Sequence, residues 1–150
     1  MTQQTTKTII VNASVDDVYK IWSNFENFPN FMANIDEVKK TGPRTSHWKM
    51  SGPLGYKVEW DAETTAQEEN TRIAWNNRDK GDITTSGQVT FKELGTDQTE
   101  ITVTLQYVPP MGVAGEIVAA LFSNPEKKLE EDLHNFKLYA EGSGEKSRTA

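Results

Sequence analysis

The chain has 150 residues, 22 acidic against 16 basic side chains, a formal net charge of −6, 35% hydrophobic residues and no cysteine. That length suits one domain with its own core, and the acidic balance weighs against nucleic-acid binding, which needs Lys and Arg to displace counterions from phosphates. The missing cysteine excludes disulfides, thiolate nucleophiles and Cys-ligated metals and fits a reducing, cytoplasmic setting; no apolar run reaches the roughly 20 residues that span a bilayer, and the polar start Met1 to Thr6 is no secretory signal.

Lys7 to Asn12 predicts a first strand centred on Ile9, Ile10 and Val11. Ser14 then offers a helix N-cap with Asp17 three residues on, which suits the helix dipole. Val15, Val18, Tyr19 and Trp22 recur at helical spacing, so this helix buries one stripe before stopping near Asn24. Pro29 disfavours an α conformation at Phe28, so short turns pinned by Phe25, Phe28 and Phe31 are expected next. Six strands follow at hairpin spacing: Ile35 to Lys40, Arg44 to Met50, Tyr56 to about Gln67, Thr71 to Asn77, Thr84 to Leu94 and Thr99 to Val108. The charged stretch Arg78 to Asp82 reads as a loop. Such spacing predicts an antiparallel meander.

The strands alternate. Val58, Trp60 and Ala62 share one face, while Lys57, Glu59, Asp61 and Glu63 share the other. Ile101, Val103, Leu105 and Tyr107 form a second apolar row; Trp48 with Met50, Ile73 with Trp75, and Val89 with Phe91 continue it. A sheet with one apolar face must cover it. The cover is Gly112 to Glu141, strongly helical, with Ile117, Leu121, Leu129, Leu133, Phe136 and Ala140 as its stripe. Pro125 either kinks this helix or starts a second one capped by Asn124. The domain is therefore read as 1–141, and 142–150 as a disordered tail.

The order β-α-α-β6-α resembles the helix-grip superfamily of START domains, birch-pollen-allergen-like proteins and the polyketide cyclase/dehydrase family. The likeness rests on motifs as well as order. They are Val15 to Met32 with Trp22 before Phe25-Glu26-Asn27-Phe28-Pro29-Asn30-Phe31-Met32; His47-Trp48-Lys49; Glu59-Trp60-Asp61-Ala62-Glu63; Arg72-Ile73-Ala74-Trp75; and Leu129 to Leu133 with Phe136-Lys137. It covers about Lys7 to Glu141. It implies an α+β helix-grip fold, a curved antiparallel sheet of about seven strands wrapped around a long C-terminal helix. Its members include lipid carriers, coenzyme Q-binding proteins and aromatic polyketide cyclases, and it supplies no fixed catalytic set.

Trp48, Trp60 and Trp75 read either as plain core or as a wall that stacks a flat, greasy ligand; the resemblance brings the second reading level with the first. With Met50 and Phe91 they are candidate cavity residues. Asn77 and Tyr107 are the polar candidates on the same face, beside Arg78, against the plainer reading of a strand-end tyrosine and a solvated arginine. Val113 to Phe122 is apolar but for Glu116. In a helix-grip fold it lies near the cavity mouth, which adds Met111, Ile117, Leu121 and Phe122, against the plainer reading of a buried helix end. His47 and His134 read as surface residues, and no metal site or cofactor is expected. Glu59, Asp61 and Glu63 stand roughly 7 Å apart along one strand, facing solvent and pairing across strands with Lys or Arg.

Three functions follow. The first is a carrier or sensor of a hydrophobic small molecule (lipid, quinone or polyketide-like). The second is a cyclase or dehydratase acting on one. The third is a structural domain with a filled core. The few acid/base groups on the inner face favour binding over catalysis, and neither a nucleic-acid partner nor stable membrane insertion is expected.

Overall fold

A computed structural model describes residues 3–32, 35–51, 57–81, 84–108 and 125–149. Seven strands form one antiparallel sheet in the order β1-β7-β6-β5-β4-β3-β2. They are β1 (Gln3–Val11), β2 (Ile35–Lys40), β3 (Thr45–Ser51), β4 (Lys57–Glu68), β5 (Arg72–Gly81), β6 (Thr84–Gly95) and β7 (Gln98–Val108). Strands β2 to β7 are a meander, and the first strand closes onto the last, Thr5 opposite Leu105 and Ile9 opposite Ile101. The sheet curls into a half-barrel with β1 and β2 as its two edges.

Helix α1 (Val15–Ser23) starts where Ser14 Oγ accepts the Asp17 N–H at 3.2 Å, with Asp16 and Asp17 in the positive first turn. Val15, Val18 and Trp22 are its buried stripe. Asn24 then caps a 3₁₀ helix (Phe25–Asn30), its Oδ1 accepting the Glu26 N–H. At three residues per turn, positions three apart eclipse. Phe25, Phe28 and Phe31 therefore stack on one face, and all three are buried.

Helix α2 (Pro125–Thr149) lays Leu129, Leu133, Phe136 and Ala140 against the interior. The described part of the helix begins at Pro125; residues 109–124 lie outside the described residues, so the Gly112 start and the choice between a kink at Pro125 and a new helix there do too. Its backbone runs on to Thr149, past Glu141, where the sequence reading ends the domain. Two glycines, Gly142 and Gly144, lower helix propensity there, yet no proline interrupts the ladder. We propose the same boundary on energetic grounds, because the buried stripe ends at Ala140. A chain ending at Gly142 is expected to keep its urea midpoint. A loss of more than about 1 kcal/mol, a large share of a domain's typical margin, would move the boundary outward.

Strand β5 extends through Arg78 to Gly81, read from sequence as part of the loop Arg78 to Asp82, whose last residue lies outside the described residues. Its pairing with β4 explains the difference: Trp60 faces Gly81 while Ala62 faces Asn77, so extra residues of β5 are absorbed as an irregularity. A second shift, between Thr64 and Ala66, changes the face on which β4 side chains point. A third lets Ile35 and Val38, three apart, both turn inward on β2. Asn70, at the β4–β5 turn, takes φ 58°, a left-handed value that asparagine tolerates.

Candidate functional site

The inner face of the sheet carries an aromatic wall. Trp48 on β3 and Trp60 on β4 are direct cross-strand partners, and their rings stack at 5.8 Å with a 16° interplanar angle. Phe25 and Phe28 of the 3₁₀ helix meet Trp48 at 5.7 and 5.2 Å. Phe25 also reaches Trp75 on β5 at 6.0 Å. The wall continues through Phe28 to Trp22, and from Trp22 to Phe136 of α2. Three tryptophans from three strands are thus joined by a helix that precedes all three in the chain.

The other sequence candidates fall around this wall. Met50 is buried on β3 opposite Val58 and Ile35. Phe91 is buried, but its ring partner is Tyr19 of α1, at 5.4 Å. Asn77 spends its Oδ1 on the Thr85 N–H at 2.7 Å, bracing β5 to β6. The backbone of Tyr107 pairs with Gln3 and Thr85, while its side chain, like that of Arg78, lies outside what is described. Met111, Ile117, Leu121 and Phe122 lie outside the described residues.

The wall and its surroundings are all buried. Met50, Trp48, Trp60, Trp75 and Phe91 keep 5–8% of their surface, whereas Val58, Ala62, Ile73, Val89, Ile101 and Val103 keep 0–1%. Phe25 and Phe28 were absent from the sequence candidates. The signal that finds them is their three-residue spacing beside Pro29, which suits a 3₁₀ turn with one aromatic face.

The polar inventory of the interior is short. Among the described residues the buried polar side chains are Thr5, Ser46 and Thr99. Ser46 Oγ accepts the Trp48 indole N–H at 2.8 Å, and Thr99 donates to the Ala13 carbonyl at 2.9 Å. The indole N–H of Trp22 is buried without a hydrogen-bond acceptor and lies among the faces and edges of Phe28, Phe31 and Phe136. An aromatic face is a weak acceptor for such a group. None of these groups titrates near neutral pH, so the described wall offers surface and shape rather than proton transfer.

Among the described residues, the groups whose ionisation is shifted lie elsewhere. On the outer face of β3 and β4, His47 sits between two carboxylates, with Nε2 2.8 Å from Glu59 and Nδ1 2.6 Å from Asp61. These carboxylates were expected to pair with Lys or Arg. Their main partner is instead a histidine that alternation places outward with them, while Lys49 adds attraction to Glu59. The hydrogen bonds to Glu59 and then Asp61 raise the His47 pKa above 6.5, and the bond to His47 lowers that of Glu59. On α2, one residue past the buried stripe, partial burial pushes the Glu141 carboxyl up. The Lys137 ammonium and the Asn12 N–H, at 2.9 Å, outweigh it, so the net shift is downward.

The sign of the His47 effect sets a pH window. A raised folded-state pKa adds stability that is fully present below the ordinary imidazole value of 6.5 and is lost as pH rises through the raised value. The depressed Glu59 acts at the other end: its contribution holds above 4.5 and fades as pH falls through the lowered value. The advantage of wild type over His47→Gln is therefore expected to shrink in urea titrations as pH rises from about 6 to 9. A constant difference would mean that the imidazole titrates alike in the folded and unfolded chain, its pKa not raised by the two carboxylates.

Outside the sheet interior, an open groove of about 690 Å³ runs between β1 and α2, lined by Lys7, Ile9, Glu130, Leu133 and His134 among others. Its rim holds the Lys7–Glu130 pair at 3.7 Å. Sequence alone gave no hint of it, because it depends on how α2 crosses the edge strand. His134 is exposed, as expected. Among the described residues no cluster of three or more His, Cys, Asp or Glu is placed to hold a metal, and no helix is long and apolar enough to cross a membrane.

A seven-stranded curled sheet gripping a C-terminal helix over an aromatic interior is the helix-grip fold. Residues 11–134 match the family model described as polyketide cyclase / dehydrase and lipid transport, and the chain belongs to that family. A Streptomyces lincolnensis protein described as an uncharacterized 17.2 kDa protein is 28% identical over 141 residues, 94% of this chain and 91% of its own. A crystal structure from Deinococcus radiodurans is 28% identical with a TM-score of 0.75, covering 94% of this chain and 98% of the other. The Zhui aromatase/cyclase of a Streptomyces species superposes with a TM-score of 0.73 at 15% identity, covering 94% of both chains. A START superfamily protein from Mycobacterium smegmatis does so at 0.71 and 22%, covering 95% and 97%. The last two likenesses speak to the fold alone.

Proposed function

We propose that the interior binds a hydrophobic small molecule, a lipid, quinone or polyketide-like compound, and carries it without chemical change. The observation that carries this reading is the convergence of Trp48, Trp60 and Trp75, buried on three neighbouring strands, on one aromatic inner wall shared with Phe25 and Phe28. Apolar pockets with a few polar groups are the usual form of small-molecule sites. The family description, which includes lipid transport, supports the same reading. Met50, Asn77, Phe91, Tyr107, Met111, Ile117, Leu121 and Phe122 are proposed to complete the lining. A cytoplasmic location, with neither a nucleic-acid partner nor membrane insertion, belongs to the same proposal.

The test is mass spectrometry of an organic extract of the purified protein. A hydrophobic compound absent from a mock purification is expected. An extract matching the mock, together with no binding of a fluorescent fatty acid, overturns the reading in favour of a filled core.

The same family description, with a cyclase among the structural neighbours, keeps an enzymatic reading in view. In that reading Tyr107 or Arg78 polarises a carbonyl of the bound ligand. Turnover that falls in Tyr107→Phe while affinity holds would establish it.

A further inference from the structure

We propose that Gly87 decides how large a ligand the interior admits, because its missing side chain lets the Trp75 indole lie down against β6. The inference rests on the binding reading above and deepens it. Trp75 and Gly87 are direct cross-strand partners, and Gly87 faces Leu105 on its other side. A methyl group at position 87 would stand 2.7 Å from Trp75 Cζ2, 2.9 Å from the Thr104 carbonyl oxygen and 3.0 Å from Leu105 Cδ2. The first two distances are too short for a carbon and the third is tight, so the large ring of the indole occupies ground that a side chain at 87 would hold.

Glycine weakens a strand interior and needs a reason to be there. Backbone conformation is not the reason, since Gly87 lies outside the left-handed region. The reason is the close approach of the Trp75 ring on one side and of the Thr104 carbonyl on the other. The indole is held from a second direction by Phe25, whose ring centroid is 6.0 Å away at 66°. Trp75 is thus seated between bare backbone and the 3₁₀ helix, and it keeps 7% of its surface open.

Any side chain at 87 lifts the ring off β6 and turns it into the interior, where it takes the room of a ligand ring. The effect grows with ligand size. Small aromatics are still accepted and fused polycyclic ones are turned away. Gly87 is thereby a specificity-determining position that touches no ligand itself and acts through Trp75.

The test uses the full chain and three planar probes of rising size: naphthol, anthrol and hydroxypyrene, followed by their own fluorescence. Wild type is expected to bind all three. Gly87→Ala is expected to keep naphthol and to lose hydroxypyrene affinity about tenfold or more. In a Trp75→Leu background, Gly87→Ala is expected to lose its bias against hydroxypyrene, because the ring it displaces is gone and the remaining contact with the Thr104 carbonyl bears on all three probes alike. An equal loss for all three probes, or no loss, overturns the inference while leaving the binding reading intact. Wild type that binds none of them overturns the binding reading, and this inference with it. Should Gly87→Ala fail to fold, Trp75→Leu alone decides. It must shift preference toward hydroxypyrene over naphthol by about tenfold, and an unchanged ratio overturns the inference.

Discussion

Replacing Phe136 with alanine is expected to cost about 3–5 kcal/mol, among the largest single losses this chain can suffer. The side chain is fully buried on α2 and sets its ring edge against Trp22 at 4.8 Å and Phe31 at 5.0 Å. Aromatic pairs of this geometry contribute about 0.5–1.5 kcal/mol each beyond the area they bury. The truncation therefore loses two ring contacts as well as volume. It also loosens the join between α2, α1 and the 3₁₀ helix, because Phe136 is where all three meet. A typical domain has about 5–15 kcal/mol to lose, so the urea midpoint should fall steeply at unchanged slope. A loss below about 1.5 kcal/mol would mean that α2 is not seated through this ring.

Trp48→Ala is the second large effect, also about 3–5 kcal/mol. Trp48 is the hub of the wall, stacked on Trp60 and edged by Phe25 and Phe28. Its removal also leaves Ser46 Oγ, on a buried residue, without its donor. Trp48→Phe separates the two contributions: it keeps most of the ring and deletes the N–H, with an expected cost near 1–3 kcal/mol. Under the binding reading Trp48→Ala should also strip the co-purified compound from the organic extract. Equal losses for the two variants would assign the whole effect to the hydrogen bond and none to the ring stack.

Much of this fold is legible in the amino-acid order because parity and spacing are local signals. Trp60 between Val58 and Ala62, or Val103 between Ile101 and Leu105, point inward as alternation requires. The Ser14 cap fixes the start of α1 to the residue. What escapes is whatever depends on irregular pairing. The inward turn of both Ile35 and Val38 needs a bulge, and the length of β5 needs extra residues absorbed opposite β4. Neither leaves a mark in composition.

The candidate site divides along the same line. Trp48, Trp60 and Trp75 follow from alternation, and their convergence follows from a curled sheet. Phe25 and Phe28 join them from a segment whose spacing suits a helix type that short-range propensity rarely singles out. Asn77 lies on the expected strand, yet its carbonyl serves the backbone of Thr85, which only the hairpin geometry reveals. The histidine between Glu59 and Asp61 has a similar origin. Each residue's outward direction is readable, but their pairing needs the register of β3 on β4.

The closure of β1 onto β7 has a consequence for biosynthesis. Thr6 bonds Thr104 and Thr8 bonds Thr102 across separations of 98 and 94 positions. Among the described residues, β1 thus finds its ladder partner only once nearly the whole meander that follows it has been made. Such distant partners make for slow acquisition of structure, since a long loop must close before its contacts are gained. Meanwhile Ile9, Ile10 and Val11 form a sticky β-prone stretch open to other nascent chains, with Lys7 beside it as a charged guard.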